Sequence, residues 1–388
     1  MRTKNGRTVK GSFWPSDEQR LLLESSFLPD ERARESWEAL RPNLDIRRLE
    51  FGTMAVLPLL YERLVEWNEA PSFVSRLKGI YRYVWYGNQV ALRGLASAVG
   101  SLQEDAVESL VLGGAALVCQ HYRRLGVRAF AEGEILVRDV PTALETLAAA
   151  GWQGCADHDP TRLCIRRAGA ASHDRCLVTA SLPSELELGG AELYEEIWSA
   201  REEAILKDVT SHAFGATHEL LLTIVTGARS GGSRVQWVAD SIAILRTSRI
   251  DWEQLHRAAL RCHCILRVRD ALIYLADELD APVPWNVVER LEGARCTRRE
   301  RLAHWVGGHG SSLGMLPATV ANHLVSTQQQ SLARALLGLP RHLVTSWGLA
   351  GMHELPGAMV RKSAAAIGRA RGSRHEPMRD LLPGDSSV

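Results

Sequence analysis

Between Glu108 and Val137 an otherwise helical pattern is broken by a short apolar run, Glu108-Ser-Leu-Val-Leu112, that stops at Gly113-Gly114. A run of this kind closed by two glycines reads as a strand entering a tight turn. Ala115 to Arg124 then reads as a helix, Glu134-Ile-Leu-Val137 as a second strand, and Pro141 to Ala150 as a helix closed by Gly151-Trp152. Two further β-like segments follow, Arg162 to Arg166 and Cys176 to Leu188. This order predicts an α+β fold: a small mixed β-sheet over about residues 105–190 with helices packed on it.

The flanks are helical. A leader at 1–17 gives way at Ser16-Asp17, a plausible N-cap, to an N-terminal helical region over 18–104. Within it, Ile46 to Trp67 and Ser72 to Gln103 show helical spacing, and Tyr81, Tyr83, Val84 and Tyr86 read as a broadened core face. A C-terminal helical region over 191–345 begins with segments 192–206, 216–226, 234–247, 251–262 and 264–279, with Pro282-Val-Pro284 as a breaker. The stretch 360–388, rich in Arg, Gly, Ala and Ser, reads as a flexible tail.

Bulk properties narrow the function. The 388 residues carry 46 basic and 45 acidic side chains, a net charge of +1. This balance argues against strong general nucleic-acid binding through a basic surface, although a local patch is compatible with it. A small anion such as a nucleoside triphosphate needs only a few cations and a metal ion. Apolar runs such as Leu220 to Val225 are too short to span a bilayer, and no signal-peptide core follows the basic N-terminus. Seven scattered cysteines make a disulfide framework unexpected, and Cys262-His263-Cys264 lacks the paired spacing of a zinc site. These features predict a cytoplasmic protein that does not enter membranes.

The chemistry concentrates at Leu112 to Val137. A strand ending in two glycines before a helix offers unpaired backbone N–H groups at the positive end of a helix dipole, a site for phosphate oxygens. Taken alone, such Gly-Gly turns are common. Glu132 and Glu134, two residues apart at a strand start, project to one side. Side by side they repel unless a cation lies between them, and Mg²⁺ accepts both carboxylate and phosphate oxygens. On spacing alone a solvated strand end is the better explanation of them. Glu185 and Glu187 lie in another alternating, strand-like segment, Ser184-Glu-Leu-Glu-Leu188. One of them, beside the first pair in a sheet, would complete a metal-binding triad.

The stretch Leu112-Gly-Gly-Ala-Ala-Leu117, Tyr122, Gly126-Val-Arg128, Glu132-Gly-Glu-Ile-Leu-Val137 and Ala148-Ala-Ala-Gly-Trp152 resembles the bacterial uncharacterised nucleotidyltransferase family, of the polymerase-beta-like superfamily. Phe51 to Tyr61, Leu186-Glu-Leu188, Trp237-Val-Ala-Asp240 and Asp251-Trp252 extend the similarity over about residues 18–290. The chain departs from the family at several points. Gly113 stands where the family has Lys, Glu132 and Glu134 stand for paired aspartates, Gly189-Gly190 replaces His-Trp, and Thr223 and Thr226 replace histidines.

The resemblance implies a nucleotidyltransferase. Gly113 and Gly114, with Arg128, would hold the triphosphate, and Glu132, Glu134 and Glu187 (or Glu185) would be catalytic and bind Mg²⁺. The partner would be a nucleoside triphosphate, with a small molecule, peptide, protein or RNA end as acceptor. Arg128 reads equally well as a residue that steadies neighbouring acids, and Trp237 with Asp240 as a packing pair. His158 and His173 read as surface residues. The alternative is a catalytically degenerate relative that binds a nucleotide or a protein partner, motivated by the departures.

Overall fold

The computed structural model describes residues 14–46, 49, 51–155, 163–167, 175–227, 235–308, 315–327 and 331–361. His158, His173, most of the expected leader and nearly all of the expected tail lie outside the described residues. Among the described residues are seven strands: β1 (Ser109–Leu112), β2 (Gly133–Val137), β3 (Trp152–Gly154), β4 (Leu163–Arg167), β5 (Arg175–Thr179), β6 (Glu202–Leu206) and β7 (Val209–Ala213). They form one mixed sheet in the order β3-β4-β5-β2-β1-β7-β6. The fold is α+β, as the strand–glycine–helix order predicts.

Helices α1 (Asp17–Phe27), α2 (Asp30–Leu40), α3 (Phe51–Met54), α4 (Leu57–Glu66) and α5 (Pro71–Glu104) precede the sheet. Between its strands lie α6 (Gly113–His121), α7 (Val140–Ala149), α8 (Ser184–Glu187) and α9 (Gly190–Ser199). After β7 come α10 (Ala216–Gly227), α11 (Gln236–Thr247), α12 (Trp252–Arg261), α13 (Ile265–Leu279), α14 (Trp285–Gly293), α15 (Arg298–Gly308), α16 (Met315–Ser326) and α17 (Leu332–Ser346). Helix α1 starts where Ser16 predicts: its hydroxyl accepts from Gln19 N–H at 3.3 Å, and the Gln19 side chain accepts from Ser16 N–H at 2.9 Å.

Alternation along the central strands builds two cores. Leu110, Leu112 and Leu136 face one that includes α10, α11 and α13, while Val111, Ile135, Val137, Cys176 and Val178 face the other, under α5 and α7. Strand β1 runs antiparallel to β2, with Leu112 opposite Glu134, and β2 runs parallel to β5, with Glu134 opposite Leu177. The chain ends of β1 and β7, which are parallel, and the start of β2 therefore lie at one end of the sheet.

Four expectations are corrected. The helix expected over 192–206 ends at Ser199, and Glu202–Leu206 is a strand paired with β7. Ala204 and Leu206 point inward there, and a two-residue turn with Lys207 at φ 58° returns the chain. Second, Ser184-Glu-Leu-Glu is one helical turn after Pro183, not strand: only Leu186 is buried, and one turn shows no period to read. Third, Cys155 and Cys164 are disulfide-bonded, Cα atoms 5.3 Å apart, because the β3–β4 hairpin sets them opposite each other. Fourth, Tyr83 and Tyr86 are not core residues; they are 56% and 64% exposed. Among the described residues no helix is long and apolar enough to cross a membrane.

Candidate functional site

The site grows from the end of β1. After Leu112 the chain turns at Gly113, whose φ of 65° lies in the left-handed region, and enters α6 directly. A Cβ on Gly113 would sit 3.2 Å from Glu134 Oε1, so the carboxylate lies against the bare glycine at the helix N-terminus. A Cβ on Gly114 would collide with the Arg128 guanidinium and with Phe130. Both glycines are therefore required by close approach, and what approaches them is an acid on one side and a cation on the other. The sequence pattern brings Gly113, Gly114, Glu134 and Arg128 together.

Arg128 is held rather than free. Its Nη2 donates to Asp240 Oδ2 at 2.9 Å and its Nε to Oδ1 at 3.2 Å, while Nη1 donates to the Ala129 carbonyl at 2.9 Å. Tyr122 and Gln236 donate to the same Oδ1 at 2.8 and 3.0 Å. Burial by itself would lower the Arg128 pKa, but Asp240 holds it above its ordinary value. Trp237 packs edge-on against Trp14, ring centroids 6.0 Å apart. The packing reading of Trp237 and Asp240 matches this arrangement, and Asp240 also fixes the cation beside the glycine turn.

Glu132 immediately precedes β2 and is ion-paired with Arg175, the first residue of β5. Glu187 is elsewhere: it stands exposed on the single turn α8, its carboxyl raised by partial desolvation and by Glu185 beside it, against a hydrogen bond from Ser181. The strand next to Glu134 is β5, which presents Leu177 and Thr179 on the face that Glu134 uses. Among the described residues, no group of three or more His, Cys, Asp or Glu side chains is placed to hold a metal. Mg²⁺ does not need one, since it is commonly held by one or two carboxylates together with substrate phosphates and water. Glu134, an oxygen donor against a turn with no Cβ in the way, fits that mode, whereas the Glu132 carboxylate is taken by Arg175.

One residue escaped the sequence reading. Glu219 on α10 is 1% exposed, and its Oε2 has no hydrogen-bond partner among the described residues. Burial, then the charges of Asp240 and Glu134, push its pKa up to about 8 against the pull of Arg128. The signal was present: an acid inside the apolar run Leu220 to Val225's own helix is costly unless it has a purpose or a proton.

The family model described as "Uncharacterised nucleotidyltransferase" matches residues 52–279, more than half of the chain. The chain belongs to this nucleotidyltransferase family. The match contains the glycine turn, both acids of β2, Arg128, Asp240 and Glu219, and it ends with α13. Helices α1, α2 and α14 to α17 lie outside the matched segment. No curated protein matches the chain.

Proposed function

We propose that this nucleotidyltransferase moves a nucleoside monophosphate from a nucleoside triphosphate to an acceptor, releasing pyrophosphate. The observation that carries the reading is the Glu134 carboxylate against Gly113 at the N-terminus of α6. The N–H groups from Gly114 onward receive the β- and γ-phosphate oxygens, and the Arg128 guanidinium, fixed by Asp240, adds positive charge beside them. Glu134, joined by Glu132 on release from Arg175, would hold Mg²⁺, which would neutralise triphosphate charge. An acceptor nucleophile forms the new bond to the α-phosphorus as the bond to the bridging oxygen breaks. Pyrophosphate leaves with that electron pair. The proton of the nucleophile passes to solvent water.

A second reading, a nucleotide-binding protein without turnover, is favoured by two specific observations. Arg175 occupies Glu132, and β5 offers Leu177 and Thr179 where a third acid would face Glu134. Pyrophosphate release separates the two. The enzyme releases pyrophosphate with Mg²⁺ and an acceptor, and Glu134→Gln abolishes that release. The binder retains Mg²⁺-dependent nucleotide affinity and releases none with any acceptor.

A further inference from the structure

Helix α5 runs for 34 residues, and only its C-terminal half is embedded against the sheet, through Leu92, Leu95, Val99 and Leu102. The preceding half, and the helix as far as Arg93, carries an exposed stripe that the fold leaves unused. Lys78, Arg82, Trp85, Tyr86 and Arg93 follow one another at offsets of 4, 7, 8 and 15 residues from Lys78, which places them on one helix face. All five are exposed, Trp85 by 45% and Tyr86 by 64%, and Tyr83 flanks them at 56%. The stripe is about 22 Å long at 1.5 Å per residue.

Its charge is of one sign. From Pro71 to Gln103 the sequence contains no Asp or Glu. None of Arg76, Lys78, Arg82 and Arg93 forms an ion pair with another described residue. A large aromatic left in water has no folding reason to be there, and three of them among four unpaired cations match a polyanion whose units have flat faces. A protein partner would more simply be met by apolar residues without the surplus charge.

The stripe is also positioned. Asn88, buried on the same helix, donates to the carbonyls of Leu125 and of Arg128, the latter at 2.8 Å, and accepts from Phe130 N–H at 3.4 Å. A Cβ on Gly133, at the start of β2, would strike Leu95. Thus α5 is clamped to the segment that leads into Glu132 and Glu134, and the stripe flanks the end of the sheet where the glycine turn lies.

We infer that the exposed face of α5 binds single-stranded nucleic acid, its bases stacking on Trp85 and Tyr86 and its phosphates lying against Lys78, Arg82 and Arg93. That the bound strand is also the acceptor rests on the transferase reading; that it binds does not. The test is therefore made without nucleotide or divalent ion. A fluorescently labelled 12-nucleotide RNA is titrated with the full chain by anisotropy at several salt concentrations, with its duplex, anionic vesicles and the protein's own self-association measured alongside. Single-strand affinity should fall linearly with the logarithm of salt concentration. Trp85→Ala/Tyr86→Ala, which removes two stacking positions, should weaken it roughly 30-fold or more, with an unchanged melting temperature because both side chains are exposed. Lys78→Glu/Arg82→Glu should weaken it and flatten the salt slope. The inference is overturned by no single-strand binding at low salt, or by binding that both double variants leave intact. It is equally overturned if the stripe variants alter only vesicle binding or self-association.

Discussion

At the residue scale the two glycines and three charged groups are interdependent. Gly114→Ala would push a methyl group into the Arg128 guanidinium and Phe130, and the guanidinium cannot retreat without disturbing its Asp240 pair. We expect it to lower stability by about 1–3 kcal/mol, read from denaturant unfolding, and to weaken triphosphate binding as well. Glu219 makes a prediction of opposite character. Its pKa is raised from 4.5 to about 8, so across that window the folded chain keeps a proton that the unfolded chain has released. Stability must then fall as pH rises from about 4.5 to about 8, and the contribution is level outside it. Glu219→Gln removes the titration, so melting temperatures at about pH 5 and about pH 8 should differ less in the variant than in the native protein. An equal or larger difference would mean that Glu219 is ionised in the fold.

At the element scale, what the sequence made legible was local and what it hid was not. Strand β1, the Gly113-Gly114 turn, α6 and β2 follow one another within thirty or so residues, and each boundary has its own chemical mark. The β6–β7 hairpin has no such mark: Glu202-Glu-Ala-Ile-Leu206 is five residues long, and two inward side chains suit a helix face equally well. Likewise Glu-Leu-Glu-Leu188 alternates like a strand but winds into α8, because Pro183 starts a turn and Leu186 finds a pocket. Tyr83 and Tyr86 fit an apolar helix face by spacing, but burial depends on what packs there, and nothing described does. The pairing of Arg128 with Asp240, 112 positions apart, was beyond any local pattern. The β5 neighbour of Glu134 also carries a prediction. Leu177→Asp would set a third carboxylate on the face of Glu134, in direct register. If two carboxylates are what limits metal affinity, the variant should reach half-maximal nucleotide binding at several-fold lower Mg²⁺, provided its melting curve shows it folded.

At the scale of the whole molecule, a nearly neutral chain holds its charges in separate places. The acids of β2 and α10 gather around one fixed arginine at the end of the sheet, and exposed cations line α5. A charge sum of +1 averages these regions away, which is why composition excluded a basic protein without revealing a basic face. The disulfide between Cys155 and Cys164 pins the β3–β4 edge, opposite the β6 edge of the sheet. Replacing either cysteine with serine should lower stability by about 2–3 kcal/mol, as for a short closed loop, while leaving nucleotide binding intact, since β5 and β2 separate that edge from the glycine turn.

The central claim is that the glycine turn and Glu134 form one triphosphate site, and calorimetric titration of the full chain with each nucleoside triphosphate, with and without Mg²⁺, tests it most directly. The account predicts binding of at least one triphosphate that requires Mg²⁺ and falls tenfold or more, about 1.4 kcal/mol, in Glu134→Gln. Binding that is indifferent to Mg²⁺ and to Glu134→Gln, or no binding of any triphosphate by the native protein, would contradict it.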